Sequence, residues 1–168
     1  MRDQLSDKSW YVKQTGMFRP ASATQALREY ALMVKFFTVH ALATSTEETL
    51  RAIVRSAPST FTIKATAEFQ SVHRHVLKKV SLQKFEDLFE ILRLTRNTIH
   101  TNGVFFPSKR NNVQKNYGDR QFDFKVGETL DWLGEDFLPW MATQLNDAMI
   151  EIVTSPEIAS TQYCPRGT

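Results

Sequence analysis

The stretch LQKFEDLFEILRLTRNTIHTNG, residues 82–103, decides how this chain is read. Leu82, Phe85, Leu88, Phe89, Leu92 and Ile99 recur at the spacing that gathers apolar side chains on one face of an α-helix. Residues 82–101 are therefore expected to form an amphipathic helix, with Ser81 as its N-cap and Gly103, beside Asn102, as its stop. At about 100° per residue, Arg93, Arg96, Asn97 and His100 fall within one sector of roughly 100°. The last two turns thus present two guanidiniums, an amide and an imidazole together. Arg96 stands only about 60° from the apolar position Ile99, so its charge must find an acceptor or an anion. An imidazole moves protons near neutral pH, and a guanidinium fork grips a phosphate. The blander account is helix termination, because a C-terminal histidine suits the helix dipole and Asn-Gly suits a cap.

Upstream, Ser22-Ala23-Thr24-Gln25 has the spacing of a capping box. Leu27, Tyr30, Ala31, Val34, Phe37 and Ala41 then predict a helix over 23–43. Ser45-Thr46-Glu47-Glu48 repeats the capping signature and predicts a second helix, stopped by Pro58. Phe61 to Ile63 is short and β-prone, and Phe69, Val72 and Val76 predict a third helix over about 65–79. Downstream, Val104-Phe105-Phe106 reads as a short strand ended by Pro107. Gln121 to Val126 alternates with period two behind the turn residues Tyr117-Gly118-Asp119-Arg120, so 103–127 reads as a small β-hairpin or β-loop. A last long helix is expected over 129–153, kinked or split by Gly134 and Pro139. The expected fold is all-α: a four- to five-helix bundle with a small β-hairpin insert between the last two long helices. It forms a single domain over 1–168, with an N-terminal arm at 1–20 carrying Trp10, Tyr11, Met17 and Phe18, and a flexible tail at 154–168.

Bulk properties narrow the function classes. At 168 residues and 42% apolar, the chain is long enough for one core and short for two. Its start is polar and its apolar runs fall far short of a membrane span, which predicts no membrane partner. A single cysteine, Cys164, excludes an internal disulfide and a cysteine-rich zinc site, and fits a cytoplasmic location. Net charge is +3, which permits an anionic partner without requiring one. Between Lys109 and Lys125 the cations Lys109, Arg110, Lys115, Arg120 and Lys125 outnumber Asp119 and Asp123. That stretch is a solvated loop or an electrostatic rim for nucleic acid.

An amphipathic helix ending in an Arg-Asn-…-His motif, within a small all-α chain, resembles the HEPN superfamily (higher eukaryotes and prokaryotes nucleotide-binding). Its signature is an arginine, often followed by a polar residue, with a histidine after four to six intervening positions. Arg96-Asn97 supplies the Arg-polar pair but with only three residues intervening before His100, while six intervene after Arg93, which is followed by Leu94, so each arginine meets one half of the signature. The resemblance implies a metal-independent endoribonuclease without cofactor, acting as a homodimer on RNA in defence or stress response. Arg96 and His100 would carry the chemistry, with Arg93 and Asn97 in support. Lys109, Arg110 and Arg120 would guide the RNA backbone. The rival expectation is a non-catalytic bundle that binds nucleotide or RNA, or docks a protein partner.

Other candidates read more plainly. His73 and His75 point about 200° apart on a helix and are expected to be a surface pair rather than metal ligands. His40, on a largely apolar helix, is expected to be satisfied and partly buried. Asp131, Glu135 and Asp136 read as helix N-terminal charge, and Cys164 as an inert tail residue.

Overall fold

The computed structural model describes residues 20–101, 103–134 and 136–160. The aromatic arm, Asn102, Glu135 and the end of the tail, including Cys164, lie outside the described residues. Residues up to Thr38 and those from Val39 onward form two compact units.

Helix α1 runs unbroken over Pro20–Ser56. The two helices expected over 23–43 and beyond Ser45 are therefore one. The reason lies in the burial register. Val39, Ala43, Thr46, Leu50, Ile53 and Ala57 are all buried, at alternating four- and three-residue steps that pass straight through the Ser/Thr cluster. Thr46 faces the core instead of capping, and Thr49 Oγ1 returns to the Ser45 carbonyl at 2.8 Å. In the first unit, α1 exposes Tyr30, Leu32, Met33, Val34 and Phe37.

In the second unit, helix α2 (Phe69–Lys79) buries Phe69, Val72, His73, Val76 and Leu77. It starts later than the apolar spacing predicts. It ends at Ser81, whose φ of 58° is left-handed, and the Leu82 N–H reaches back to the Leu77 carbonyl at 2.8 Å. Ser81 thus closes α2 rather than capping the next helix. A 3-10 turn (Gln83–Phe85) leads into helix α3 (Glu86–His100). Five consecutive residues of α3, Leu88 to Leu92, are buried, so its middle is surrounded rather than amphipathic. Thr95 and Thr98 fit that interior because their hydroxyls bond the Ile91 and Leu94 carbonyls at 2.7 and 2.8 Å. Gly103 stops the helix as expected, its φ of 80° bringing its N–H within 3.0 Å of the Thr98 carbonyl.

The insert holds an antiparallel hairpin of β1 (Val113–Tyr117) and β2 (Arg120–Phe124). Tyr117 pairs with Arg120 across Gly118-Asp119, and Gly118 takes the positive φ that a tight hairpin turn needs. Val104-Phe105-Phe106 is not a strand. Val104 makes one bridge to Thr129, and Phe105 exchanges bonds with Gly127 and Glu128. Phe122 and Phe124 face inward onto Trp132 and Phe137, and Trp140 packs on Phe122. Each fully buried ring contributes about 1.5–3 kcal/mol. Lys115 Nζ pins the hairpin to α3 through Asp87 at 2.7 Å. Helix α4 (Phe137–Thr154) starts well after the expected boundary. Gly134 precedes it and Pro139 occupies its first turn, where no N–H partner is lost, so neither kinks it. The short helix α5 (Pro156–Ala159) follows. Among the described residues the chain is thus mostly helical, with five helices and a two-stranded hairpin between α3 and α4.

Candidate functional site at the end of helix α3

The last two turns of α3 bring Arg93, Arg96, Asn97 and His100 to the surface, with Asn97 and His100 exposed and the arginines half-buried. The four do not share one set of neighbours. Arg96 and His100 turn toward α1, whereas Arg93 and Asn97 line a groove on the other flank.

On the α1 flank, Arg96 Nη1 donates to Glu47 Oε2 at 2.9 Å. This is the acceptor that its position beside Ile99 demands. Glu47 also receives the Arg51 guanidinium, which in turn donates to the carbonyls of Ala65 and Ala67. One carboxylate therefore lies between two guanidiniums, and Arg96 engages it through Nη1 alone. One turn on, the His100 ring meets His40 edge to face, centroids 5.4 Å apart and planes at 89°. His40 precedes Glu47 by seven residues on α1, whereas their partners His100 and Arg96 stand four residues apart on α3 in the opposite chain order. His40 is half-buried, as expected, but its side chain makes no hydrogen bond among the described residues. Sixty positions separate it from His100, and no local pattern announces the meeting.

On the other flank, Arg93 bonds Glu90 Oε2 through Nη2 at 2.8 Å. Glu90 is buried, and His73 Nε2 lies 3.2 Å from its other oxygen. Burial alone would raise the Glu90 carboxyl. The contacts with His73 and Arg93 outweigh it and hold the group down at about 2. His73 is fully buried, stacked on Phe89, so the expected surface pair is corrected. His75, against Phe61, is lowered by burial and by Lys79 and Lys78.

The basic residues of the insert separate too. Lys109 lines the groove beside Arg93 and Asn97. Arg110 is exposed, with a left-handed φ of 51°, and its N–H closes a turn on the Pro107 carbonyl. Arg120 is committed elsewhere, paired with Asp136 at 2.9 Å and lying over Trp140. Asp136 is the N-cap residue of α4, the helix N-terminal charge expected there, and serves as the partner of Arg120 as well. Asp123 is lowered by hydrogen bonds from Gln114 and Gln121. Among the described residues, no group of three or more potential metal ligands lies together, and no helix is long and apolar enough to cross a membrane. Comparison with protein-family models, with curated proteins and with solved structures found no match to this chain.

Proposed function

We propose that the end of α3 is the active site of a metal-independent endoribonuclease of HEPN type, with the helices arranged as a bundle and the chain acting as a homodimer. The observation that carries this reading is the exposed His100 ring in contact with His40, one turn from Arg96. RNA holds its own nucleophile. One histidine takes the proton of the 2′-hydroxyl as the 2′-oxygen forms its bond to phosphorus. The bond from phosphorus to the 5′-oxygen breaks, and the other histidine gives that oxygen a proton. The products are a 2′,3′-cyclic phosphate and a 5′-hydroxyl. Arg96, aimed by Glu47, offers its remaining Nη to the charge that grows on the phosphoryl oxygens. Asn97 and Arg93 contact the neighbouring nucleotide, and Lys109 and Arg110 attract the backbone.

Dimerisation is supported by Tyr30, Met33, Val34 and Phe37, a stripe of exposed apolar side chains at the spacing by which one helix receives another. A second reading, an RNA-binding module without catalysis, is favoured by the carboxylate partners that Arg93 and Arg96 both carry. Incubation with unstructured RNA in EDTA separates the two. Cleavage with 2′,3′-cyclic phosphate ends, lost in His100→Ala, supports the nuclease; retention without cleavage supports the module.

A further inference from the structure

The groove beside α3 encloses about 710 Å³, within the range of about 300–1,000 Å³ typical of small-ligand sites. Its wall includes Phe106, which is 62% exposed although its neighbour Phe105 is buried. An exposed ring anchored by a buried one is held in place without being covered. Pro107 and the turn it closes with Arg110 fix the loop on which Phe106 stands. Opposite the loop, α3 contributes Asn97 and α2 contributes Gln70, and the loop adds Asn111. These three amides make no side-chain hydrogen bond among the described residues, so their donors and acceptors face the groove or solvent. Lys109, also exposed, supplies a positive charge to the same groove.

We infer that this groove binds one unpaired base of single-stranded RNA, stacked on Phe106, with its edge read by the amides and its phosphate held by Lys109. The ring, the amides and the lysine each match one part of a nucleotide, and the exposed Glu68 on the same wall can only accept a bond, from a base amino or ring N–H group. A base has two flat faces, and stacking on an aromatic ring is sequence-tolerant because every base has a π-face. Base edges mix donors and acceptors, and a carboxamide side chain offers both. Phosphate calls for a cation. A paired base shows neither a free face nor a free pairing edge, so the groove selects single strands. The inference rests on the reading of RNA as the substrate. It adds that the nucleotide beside the scissile phosphate is gripped on the flank of α3 away from His40.

The test uses the full chain and a short, unstructured, fluorescent 2′-O-methyl oligouridine, which lacks the nucleophilic hydroxyl and stays intact. Its anisotropy is compared with that of the same strand in a blunt duplex. The single strand is expected to bind at least about tenfold more tightly. Phe106→Ala should weaken binding roughly tenfold, and Phe106→Trp should restore it. Phe106→Leu should behave as the alanine variant, because it keeps apolar bulk and loses the π-face. Lys109→Ala should lower the salt slope by about one ion. Equal binding of duplex and single strand, or wild-type binding by Phe106→Leu or Phe106→Ala, would overturn the inference. Cleavage kinetics keep the two readings apart. If RNA is cleaved and Phe106→Ala has an unchanged KM, the groove inference falls and the nuclease stands. If binding depends on Phe106 and no RNA is cleaved, the groove stands and the nuclease falls.

Discussion

His73 and His100 stand at opposite ends of what a histidine can do in one fold. His73 is sealed in the core, stacked on Phe89 and set 3.2 Å from the buried carboxylate of Glu90. His100 is exposed and its neighbour is another imidazole, His40. A ring committed to a buried carboxylate holds helices together, and its removal strands a charge. A ring that meets a second ring at the surface has its nitrogens available to a substrate. Both sites involve α3, one at its surrounded middle and one at its open end, so burial commits the first to stability and leaves the second open to the chemistry proposed for it.

The contrast breaks first at the open site. His100→Ala should lower the cleavage rate by about 10²–10⁴-fold, the usual worth of a positioned acid or base, while thermal unfolding stays near wild type. A large fall in melting temperature would move His100 into the structural class. Glu90→Ala should do the reverse. It removes one partner of a buried pair and should cost about 3 kcal/mol in denaturant unfolding; it frees Arg93 but leaves the His40–His100 contact and the Arg96–Glu47 pair in place. A cost near zero would mean that Glu90 does not organise the core.

Acid should reach the same carboxylate. Its folded value of about 2 lies below the ordinary 4.5, so the native state favours the ionised form. That stabilisation is fully present above about pH 4.5 and is lost as the pH falls toward 2. At about 1.4 kcal/mol per pH unit it amounts to roughly 3–4 kcal/mol at most. Unfolding measured across this window should show the decline, and Glu90→Gln should flatten it. An unchanged slope in the variant would assign the acid sensitivity to other carboxylates.

Smaller effects sharpen the picture. Arg96→Lys keeps the charge and loses the planar fork, so cleavage should fall roughly tenfold. No change would make Arg96 only the partner of Glu47. Phe37→Glu alters a side chain that is 73% exposed. It should shift unfolding by no more than about 0.5 kcal/mol and yield monomer by light scattering after gel filtration. A persistent dimer would exclude the apolar stripe of α1 as its seam.

How much of this was legible in the sequence follows the range of the forces involved. The helix ending at His100, its stop at Gly103 and the turn at Gly118 are written in local spacing and in backbone freedom, and they can be read. The strand Val113–Tyr117 cannot, because VQKNY is polar and pairs only because β2 lies beside it. Thr46 and Ser81 mislead for a related reason. Each has capping chemistry locally, but the core takes the first into a helix and the end of α2 takes the second. His73 was readable, since it shares the face of Phe69, Val72 and Val76. At the site, helical spacing places Arg93, Arg96, Asn97 and His100 on the surface but says nothing of their partners. Glu47 and His40 come from 49 and 60 positions away along the chain.

In the proposed nuclease, His40 and His100 divide two proton transfers between them. The most direct measurement compares His40→Ala and His100→Ala on ordinary RNA and on RNA whose scissile 5′-oxygen is replaced by sulfur, a leaving group that needs no proton. The account predicts that both variants fail on ordinary RNA and that one of them, the variant lacking the acid, regains cleavage on the sulfur substrate. Full activity of His40→Ala on ordinary RNA, or no difference between the two substrates in either variant, would contradict it.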